Sequence, residues 1–385
     1  MTLTSPRLFL RPQNGIFLAF GIYALSVGAI FPRLGDMQHQ MGIGEGMLGM
    51  SVIGAALGVQ LSLLFASRIL QVLGFRLVML LGVPIIGGAE MISTLSAGPL
   101  MFFICLFIAG LAIGVVEVAV NVEADLIEGT LKRRIMNRCH AFWSLGFFGA
   151  GLSGALLAQF YSPIFWHMAG FLGVTSAMII LLLAHYRPAT QRLNDQADTA
   201  IFAYPTKPIL MLVALTLSAM LLEGAGTDWS VIFMRDIFST PPFISGMAFA
   251  LGALSQFIVR FFADRFVDQN GPEKITSYSV IALGIGVILV TFAPLPLIAL
   301  GGFVLLGAGN AVIFPLAISA AAQRTDRPAS VNVAAVAQLS FIVFLLAPPF
   351  LGIMAEQFGI RSAFGICFPL VILSWFSVKS LRAPQ

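Results

Sequence analysis

The chain has 385 residues, of which 58% are hydrophobic and 10% are charged, with a formal net charge of +4. Soluble globular domains carry about 25% charged residues, so a soluble enzyme, a disordered chain and a nucleic-acid-binding protein all fit this composition poorly. A membrane-crossing helix needs about 20 predominantly apolar residues, and twelve such helices would leave about 145 residues for loops and tails. The composition therefore predicts an all-α polytopic membrane protein with little mass outside the bilayer.

Apolar runs separated by charged or Pro- and Gly-rich pieces mark the predicted spans in chain order. The first six runs fall at 15–34, 45–66, 76–96, 100–122, 140–160 and 165–186. Six more follow a polar stretch, at 208–228, 243–263, 275–293, 296–320, 331–351 and 360–380. We therefore predict twelve transmembrane helices, arranged as an N-terminal six-helix bundle over 1–186, a cytoplasmic linker over 187–207 and a C-terminal six-helix bundle over 208–385.

The distribution of basic residues predicts the orientation of these spans. With the N-terminus inside, only Arg33, Arg235 and Arg361 of the 21 Lys and Arg residues fall on outward-facing segments. Basic residues concentrate on cytoplasmic loops of membrane proteins, so we expect both termini to be cytoplasmic and the chain to lie in the cell inner (plasma) membrane. The same topology accounts for the basic net charge without a nucleic-acid partner.

An internal repeat relates the two predicted halves. Residues 49–68 and 246–265 align at a constant offset of 197, with seven of twenty positions identical. The same offset carries Gly74 onto Gly271 and Gly110 onto Gly307. Because an even number of helices separates the copies, they run in the same direction through the membrane. This parallel six-helix duplication resembles the twelve-helix transporters of the major facilitator superfamily, and the resemblance covers the whole chain.

The loops after the second and eighth spans resemble the superfamily's cytoplasmic gate motif, an acid–Arg pair followed by Gly and basic residues. The motif residues are Arg68, Gly74 and Arg76 in the first copy, and Asp264, Arg265 and Gly271 in the second. A carboxylate at a helix end can hold a basic side chain or a facing helix terminus. Since Ser67 replaces the acid in the first copy, we expect the stronger latch at Asp264. The alternative is that both loops are solvated and serve only topology.

The run from Asn121 to Gly146 resembles a narrower group within the superfamily. It reads NVEADLIEGTLKRRIMNRCHAFWSLG, with Asn and Glu, then a basic loop, then His-Ala-Phe-Trp-Ser-Leu-Gly. This pattern is similar to the fucose-permease-like branch, which includes rhizopine-linked permeases and uncharacterised enteric inner-membrane proteins. The resemblance implies a solute permease and does not name a substrate.

Charged side chains inside predicted spans are functional candidates, because each costs roughly 2.5–3.5 kcal/mol at the centre of a bilayer. Glu117 shares one helical face with Asn121, and the resemblance implies that the fourth helix lines a central cavity. The alternatives for Glu117 are snorkelling to the inner surface or pairing with Arg138. Glu223 begins the stretch Glu-Gly-Ala-Gly-Thr-Asp-Trp, which ends at Trp229. Glu223 binds substrate or a proton, or makes a structural hydrogen bond.

Other polar and aromatic residues complete the predicted substrate site. Asn310 falls near the middle of the tenth span, where it serves either a hydroxyl-rich ligand or close helix packing. Tyr23 stacks on a solute ring or is buried aromatic surface. The predicted substrate-binding set is Tyr23, Ser26, Glu117, Asn121, Glu223, Trp229, Asn310 and Gln338. Weaker candidates are Glu90, Trp143, His140 and the pair of Gln256 and Arg260 on the eighth span.

Patterns typical of other function classes do not occur in the sequence. There is no G-x-x-x-x-G-K-[ST] loop, no H-E-x-x-H helix and no G-x-S-x-G elbow. None of the three cysteines has metal-site spacing, so we expect no enzyme activity, no metal, no cofactor and no obligatory protein partner.

The favoured function is a secondary transporter that moves a small polar solute, such as a sugar or polyol, through the bilayer by alternating access. Protons are the candidate coupling ion, at Glu223 or Glu117. One alternative is an exporter of amphiphilic, drug-like compounds on the same fold, and another is a non-transporting membrane sensor or assembly factor.

Overall fold

The structure, a computed structural model, describes residues 10–189 and 204–382. Residues 190–203, which form most of the predicted linker, lie outside the described residues, as do 1–9 and 383–385. No strand occurs within the described ranges. The helices in chain order are α1 (Pro12–Gly28), α2 (Leu34–Met41), α3 (Glu45–Ser93), α4 (Pro99–Leu131), α5 (Met136–Gln159), α6 (Ile164–His185), α7 (Lys207–Phe238), α8 (Pro242–Asn270), α9 (Pro272–Phe292), α10 (Pro296–Ala322), α11 (Ala329–Phe358), α12 (Ile360–Gly365) and α13 (Phe368–Ser377).

Eleven helical segments of the described chain are long and apolar enough to cross a membrane. One of them, α3, has 49 residues, which is about 73 Å at 1.5 Å per residue and more than twice the roughly 30 Å of a hydrocarbon core. Its backbone leaves the helical conformation at Gly74, with φ 70° and ψ 164°. The two parts of α3 correspond to the second and third predicted spans. The count of twelve crossings and the cytoplasmic position of both termini stay predictions.

The break at Gly74 has a counterpart at the position that the repeat predicts. Gly271 lies between α8 and α9 with φ 81° and ψ 154°, close to the conformation of Gly74. Side chains with a Cβ rarely adopt this region, which is used almost only by glycine. The two motif glycines therefore have a backbone reason to be glycine.

Close helix contacts also repeat between the halves. A Cβ atom on Gly110 of α4 would lie 2.1 Å from the carbonyl oxygen of Ala55 on α3. A Cβ atom on Gly307 of α10 would lie 2.1 Å from the carbonyl oxygen of Gly252 on α8. Both residues of the second pair follow those of the first by 197 positions. Small residues allow such backbone approach between membrane helices, and the same approach occurs in each half.

We call residues 10–189 the first half and residues 204–382 the second half. The largest contacts between them join α5 to α8 and α3 to α11. The offset of 197 maps the first part of α3 onto α8, and α5 onto α11, so the two contacts are equivalent under the repeat. The fold therefore pairs two similar helical halves about an approximate twofold relation, as the duplication predicts.

Candidate functional site

A cavity of about 60 Å³ lies between the two halves. The first half contributes aromatic rings from α5, and the second half contributes residues from α7, α8 and α10. The residues that the following description uses are Trp143, Phe147, Glu223, Thr227, Phe249, Gln256 and Asn310. Within the described residues that line the cavity, Glu223 is the ionisable one.

Glu223 is held by two residues of α8. The Nε2 atom of Gln256 donates to Oε1 of Glu223 at 2.9 Å, and a guanidinium nitrogen of Arg260 lies 3.6 Å from the same oxygen. Gln256 and Arg260 are four residues apart, so they project from the same face of α8. The cavity carboxylate is thus paired with a buried cation that does not itself line the cavity.

The network around Glu223 continues into the first half. Ser144 of α5 donates from Oγ to Oε1 of Gln256 at 3.0 Å. The same Oγ accepts a hydrogen bond from Nη1 of Arg260 at 2.9 Å. These contacts connect the cavity carboxylate to the α5–α8 interface between the halves.

A second cluster forms around Glu117 on α4. The Nδ2 atom of Asn121 donates to Oε1 of Glu117 at 2.8 Å, and the side chains of Tyr23 and Glu117 interact. The Tyr23 hydroxyl also donates to the carbonyl oxygen of Ile113 at 3.1 Å. The Tyr23 ring centroid lies 4.7 Å from that of Trp143, which lines the cavity. The predicted set Tyr23, Glu117 and Asn121 is therefore brought together beside the cavity wall.

The expected alternative partner of Glu117 lies elsewhere. The Arg138 guanidinium sits over the Phe261 ring at 5.5 Å, and the ion pairs of the described residues do not include Glu117 with Arg138. A neutral amide and a phenol are the partners that Glu117 has instead.

Four other predicted residues lie outside the cavity lining. Ser26 donates to the carbonyl oxygen of Val83 on α3 at 3.4 Å, and Glu90 is buried near the end of α3. Trp229 is 2% exposed, and its ring packs against Gly352 of α11. Gln338 lies on α11. A substrate-binding role for these residues stays a prediction, and the contacts given for Ser26 and Trp229 are with neighbouring helices.

Asn310 is part of the cavity lining, as expected for the tenth span. It is 4% exposed, and its Oδ1 atom has no hydrogen-bond partner among the described residues. A buried amide that lacks partners loses hydrogen-bond energy. The Oδ1 atom of Asn310 is therefore available to accept a hydrogen bond from a ligand.

The second copy of the gate motif makes a contact between the halves. Asn137 at the start of α5 donates from Nδ2 to Oδ1 of Asp264 near the end of α8. In the first copy, Arg76 donates to the carbonyl oxygen of Leu183 at 2.8 Å, within the same half. Arg68 and Arg265 are exposed. The contact of Asp264 joins helices of different halves, and its role as a latch stays a prediction.

The opposite ends of the helices are joined by two further contacts between the halves. Oε2 of Glu356 on α11 accepts from the backbone N–H of Gly46 in the first turn of α3 at 2.8 Å. Arg235 of α7 donates to Oε1 of Gln38 and to the carbonyl oxygen of Gly35, both at 2.9 Å. Direct contacts between the halves therefore occur at both ends of the helices.

The chain matches the sequence model of the Major Facilitator Superfamily over residues 16–341, with a second match over residues 211–384. The chain belongs to the Major Facilitator Superfamily. It is therefore a multi-pass membrane protein with the family and fold of small-molecule transporters. The resemblance given by the repeat and the gate motif is confirmed.

Curated relatives match over nearly the whole chain. One is an uncharacterised MFS-type transporter of Yersinia pestis, 28% identical over 93% of this chain and 92% of the relative. Another is the membrane protein MosC of Rhizobium meliloti, 24% identical over 91% of this chain and 85% of MosC. These matches place the chain among superfamily members without supplying a substrate.

Solved structures give the same fold. A variant of the nucleoside transporter NupG has a TM-score of 0.75 at 11% identity, covering 96% of this chain and 100% of NupG. A D-xylose-proton symporter has a TM-score of 0.73 at 12% identity, covering 97% of this chain and 99% of the symporter. At these identities the likeness shows the fold alone.

Sequence reasoning missed part of the site of this superfamily member. Phe147 and Phe249 line the cavity with ring centroids 5.7 Å apart, and Ser144 lies at the centre of the contact between the halves. The chain has 34 phenylalanines, so composition does not distinguish the two in the cavity. The available signal was the spacing of Trp143 and Phe147, four residues apart on the face that also carries His140.

Proposed function

We propose that this chain is a secondary transporter that carries a small polar solute, such as a sugar or polyol, through the bilayer by alternating access. The two moving bodies are the bundles 1–186 and 208–385, joined by the cytoplasmic linker 187–207. Both termini are cytoplasmic and the membrane is the cell inner membrane. The observation that carries this proposal is the cavity that both halves line around Glu223.

The chemistry of the lining supports a polar solute with an apolar ring face. Glu223, Thr227 and Asn310 offer hydrogen-bonding groups on one side of the cavity. Trp143 and Phe249 offer aromatic faces on which a sugar or polyol ring can stack. The D-xylose-proton symporter and the nucleoside transporter, which share the fold, are by name carriers of polar ring solutes.

Proton coupling is assigned to Glu223, with Glu117 as the second candidate. A charged group inside a membrane protein marks a substrate or ion pathway by default. Glu223 combines access to the cavity with a cation 3.6 Å away, so gain or loss of one proton would change the balance of charge in the cavity. Coupling requires that this change have a different free energy in the two conformations of the transporter.

The same cavity supports a second candidate function. Four aromatic rings line it, those of Trp143, Phe147, Phe249 and Phe303, and aromatic faces also suit an amphiphilic cation. On this alternative the protein exports drug-like compounds. A non-transporting sensor or assembly factor predicts no counterflow of any solute.

The deciding experiment is ligand-induced thermal stabilisation of the detergent-purified protein, followed by counterflow in liposomes for each solute that stabilises it. The panel holds hexoses, deoxyhexoses, inositols, amino sugars and lipophilic cations, each at two pH values. We expect stabilisation by a sugar or polyol that weakens in Glu223→Gln. Asp268→Asn, an exposed acid at the inner end of α8, is the matched control and keeps the response. Stabilisation by lipophilic cations alone would favour the exporter, and no counterflow of any solute would favour the sensor.

A further inference from the structure

Arg260 joins four helices through one buried guanidinium group. The residue is 9% exposed. Its Nε donates to the carbonyl oxygen of Ala311 on α10 at 3.1 Å, and its Nη2 lies 3.6 Å from Glu223 on α7. Its Nη1 donates to Ser144 on α5, in the other half of the molecule. An arginine can divide its contacts in this way because its donors point in fixed, different directions.

The contacts form a closed circuit across the interface between the halves. Glu223 accepts from Gln256, Gln256 accepts from Ser144, Ser144 accepts from Arg260, and Arg260 faces Glu223. Three members belong to the second half, and Ser144 is the member from the first half. Ser144 is fully buried, so water cannot readily replace a lost partner.

The charged groups around the circuit are few. From α5, the imidazole of His140 lies one turn from Ser144 and close enough to interact electrostatically with Arg260. Along α7 and α8 the nearest other acids are Asp228 and Asp264. From α10 the circuit is faced by the Ala311 carbonyl and the Asn310 amide, which do not titrate. The charge of Arg260 is therefore balanced mainly by Glu223.

A buried cation whose acid is removed or occupied must strengthen its other contacts or move. Removing one partner from a buried ion pair leaves an uncompensated charge, which is strongly unfavourable. When Glu223 takes a proton or a donor group of a solute, the remaining contacts of Arg260 are with Ala311 and Ser144. The contact with Ser144 lies across the interface, so its strength depends on the state of Glu223.

We propose that Arg260 is a positioning residue that couples the state of Glu223 in the cavity to the contact between the two halves at Ser144. This inference rests on the proposed function only in that Glu223 takes up a solute or a proton. It assigns to Arg260 and Ser144 a role in transmitting occupancy of the cavity to the relative position of the halves, although neither lines the cavity.

The test is a double-mutant cycle on the conformational equilibrium, measured without any solute. Spin labels are placed at Arg134→Cys and Asp268→Cys, two exposed positions at the inner ends of different halves. The three native cysteines are buried, so the labels attach to the introduced pair. Distance distributions are recorded for the parent protein, Ser144→Ala, Glu223→Gln and the double variant.

We expect Ser144→Ala alone to change the ratio of short to long distances by roughly fivefold, as expected for one buried hydrogen bond. Glu223→Gln also changes the ratio, and the double variant differs from the product of the two single effects by at least threefold. The cycle is then repeated in an Arg260→Lys background, which keeps the charge but loses the fork of donors. There the distance ratio of the double variant should equal the product of the effects of Ser144→Ala and Glu223→Gln. If Arg260→Lys does not fold, the first cycle is repeated in a Gln256→Leu background, where the non-additivity should persist because Arg260 still contacts both Glu223 and Ser144; its loss there would assign the coupling to Gln256 and overturn the inference.

Ser153→Ala is the matched control, because Ser153 lies on the same helix and bonds only to carbonyl oxygens of that helix. Its effect and that of Glu223→Gln should multiply independently. Independent effects of Ser144→Ala and Glu223→Gln would overturn the inference, and so would an unchanged distance distribution in all four proteins. Counterflow is measured separately, so a transporter with independent effects refutes the inference and leaves the proposed function in place.

Discussion

The two acids beside the cavity have different surroundings. Glu117 in the first half is partnered by an amide and a phenol, Asn121 and Tyr23. Glu223 in the second half is partnered by a cation, Arg260, and by Gln256. Neutral partners can be lost one at a time, whereas a buried cation cannot be left without its acid. The repeat therefore duplicates the backbone and the close helix contacts, while the ion pair beside the cavity lies in the second half.

The largest expected effect is on proton-driven transport. Glu223→Gln should lower pH-driven accumulation of the solute by more than about tenfold. Counterflow, which needs no net proton movement, should fall only as far as binding of the solute weakens. Glu117→Gln should lower accumulation by less, since the ion pairs of the described residues do not include Glu117. The measurement is uptake into liposomes with and without an imposed pH gradient. If both variants keep full pH-driven uptake, neither acid couples protons. If Glu117→Gln has the larger effect, the coupling acid is Glu117 in the first half and not Glu223.

The next effect is on stability. Arg260→Met leaves Glu223 as an uncompensated charge, which costs about 3 kcal/mol when one partner of a buried pair is removed. The variant should unfold well below the parent in a thermal scan of the detergent-purified protein. The double variant Glu223→Gln with Arg260→Met should recover part of this loss, because it removes both charges. A double variant that is no more stable than Arg260→Met would show that the pair is not what stabilises this region.

A smaller loss of stability is expected at the two repeated helix contacts, and it should be the same in both halves. Gly110→Ala and Gly307→Ala each place a methyl group 2.1 Å from a backbone oxygen, and overpacking of this kind costs about 1–3 kcal/mol. Gly301→Ala on the same helix as Gly307 meets no atom within 4 Å and is the control that should not destabilise. Thermal unfolding measures the stability of both variants. A difference of more than about 1 kcal/mol between their free energies of unfolding would show that the halves are packed less alike than the backbone suggests.

The sequence predicted the helical fold, the duplication and the superfamily, because hydropathy and the constant offset of 197 depend only on residue order. It also placed Asn121 and Glu117 on one face, since a helix fixes the direction of neighbours four residues apart. It did not predict the contact of Ser144 with Arg260, which joins residues 116 positions apart and is not part of the repeat. Nor did it predict that Trp229 packs on Gly352, because helices that are apolar all round give little signal for their rotation; the substrate-binding role of Trp229 stays a prediction.

The smallest expected effect is at Tyr23, one of the two neutral partners of Glu117. Tyr23→Phe removes the hydroxyl that bonds to the Ile113 carbonyl oxygen at 3.1 Å and contacts Glu117, but keeps the ring that packs on Trp143. Loss of one such hydrogen bond costs about 1 kcal/mol, because Asn121 still donates to the carboxylate. Thermal unfolding of Tyr23→Phe beside Arg260→Met measures the difference directly. A loss of stability as large as that of Arg260→Met would mean that Glu117 depends on its phenol as strongly as Glu223 depends on its cation, and the contrast between the two acids would not hold.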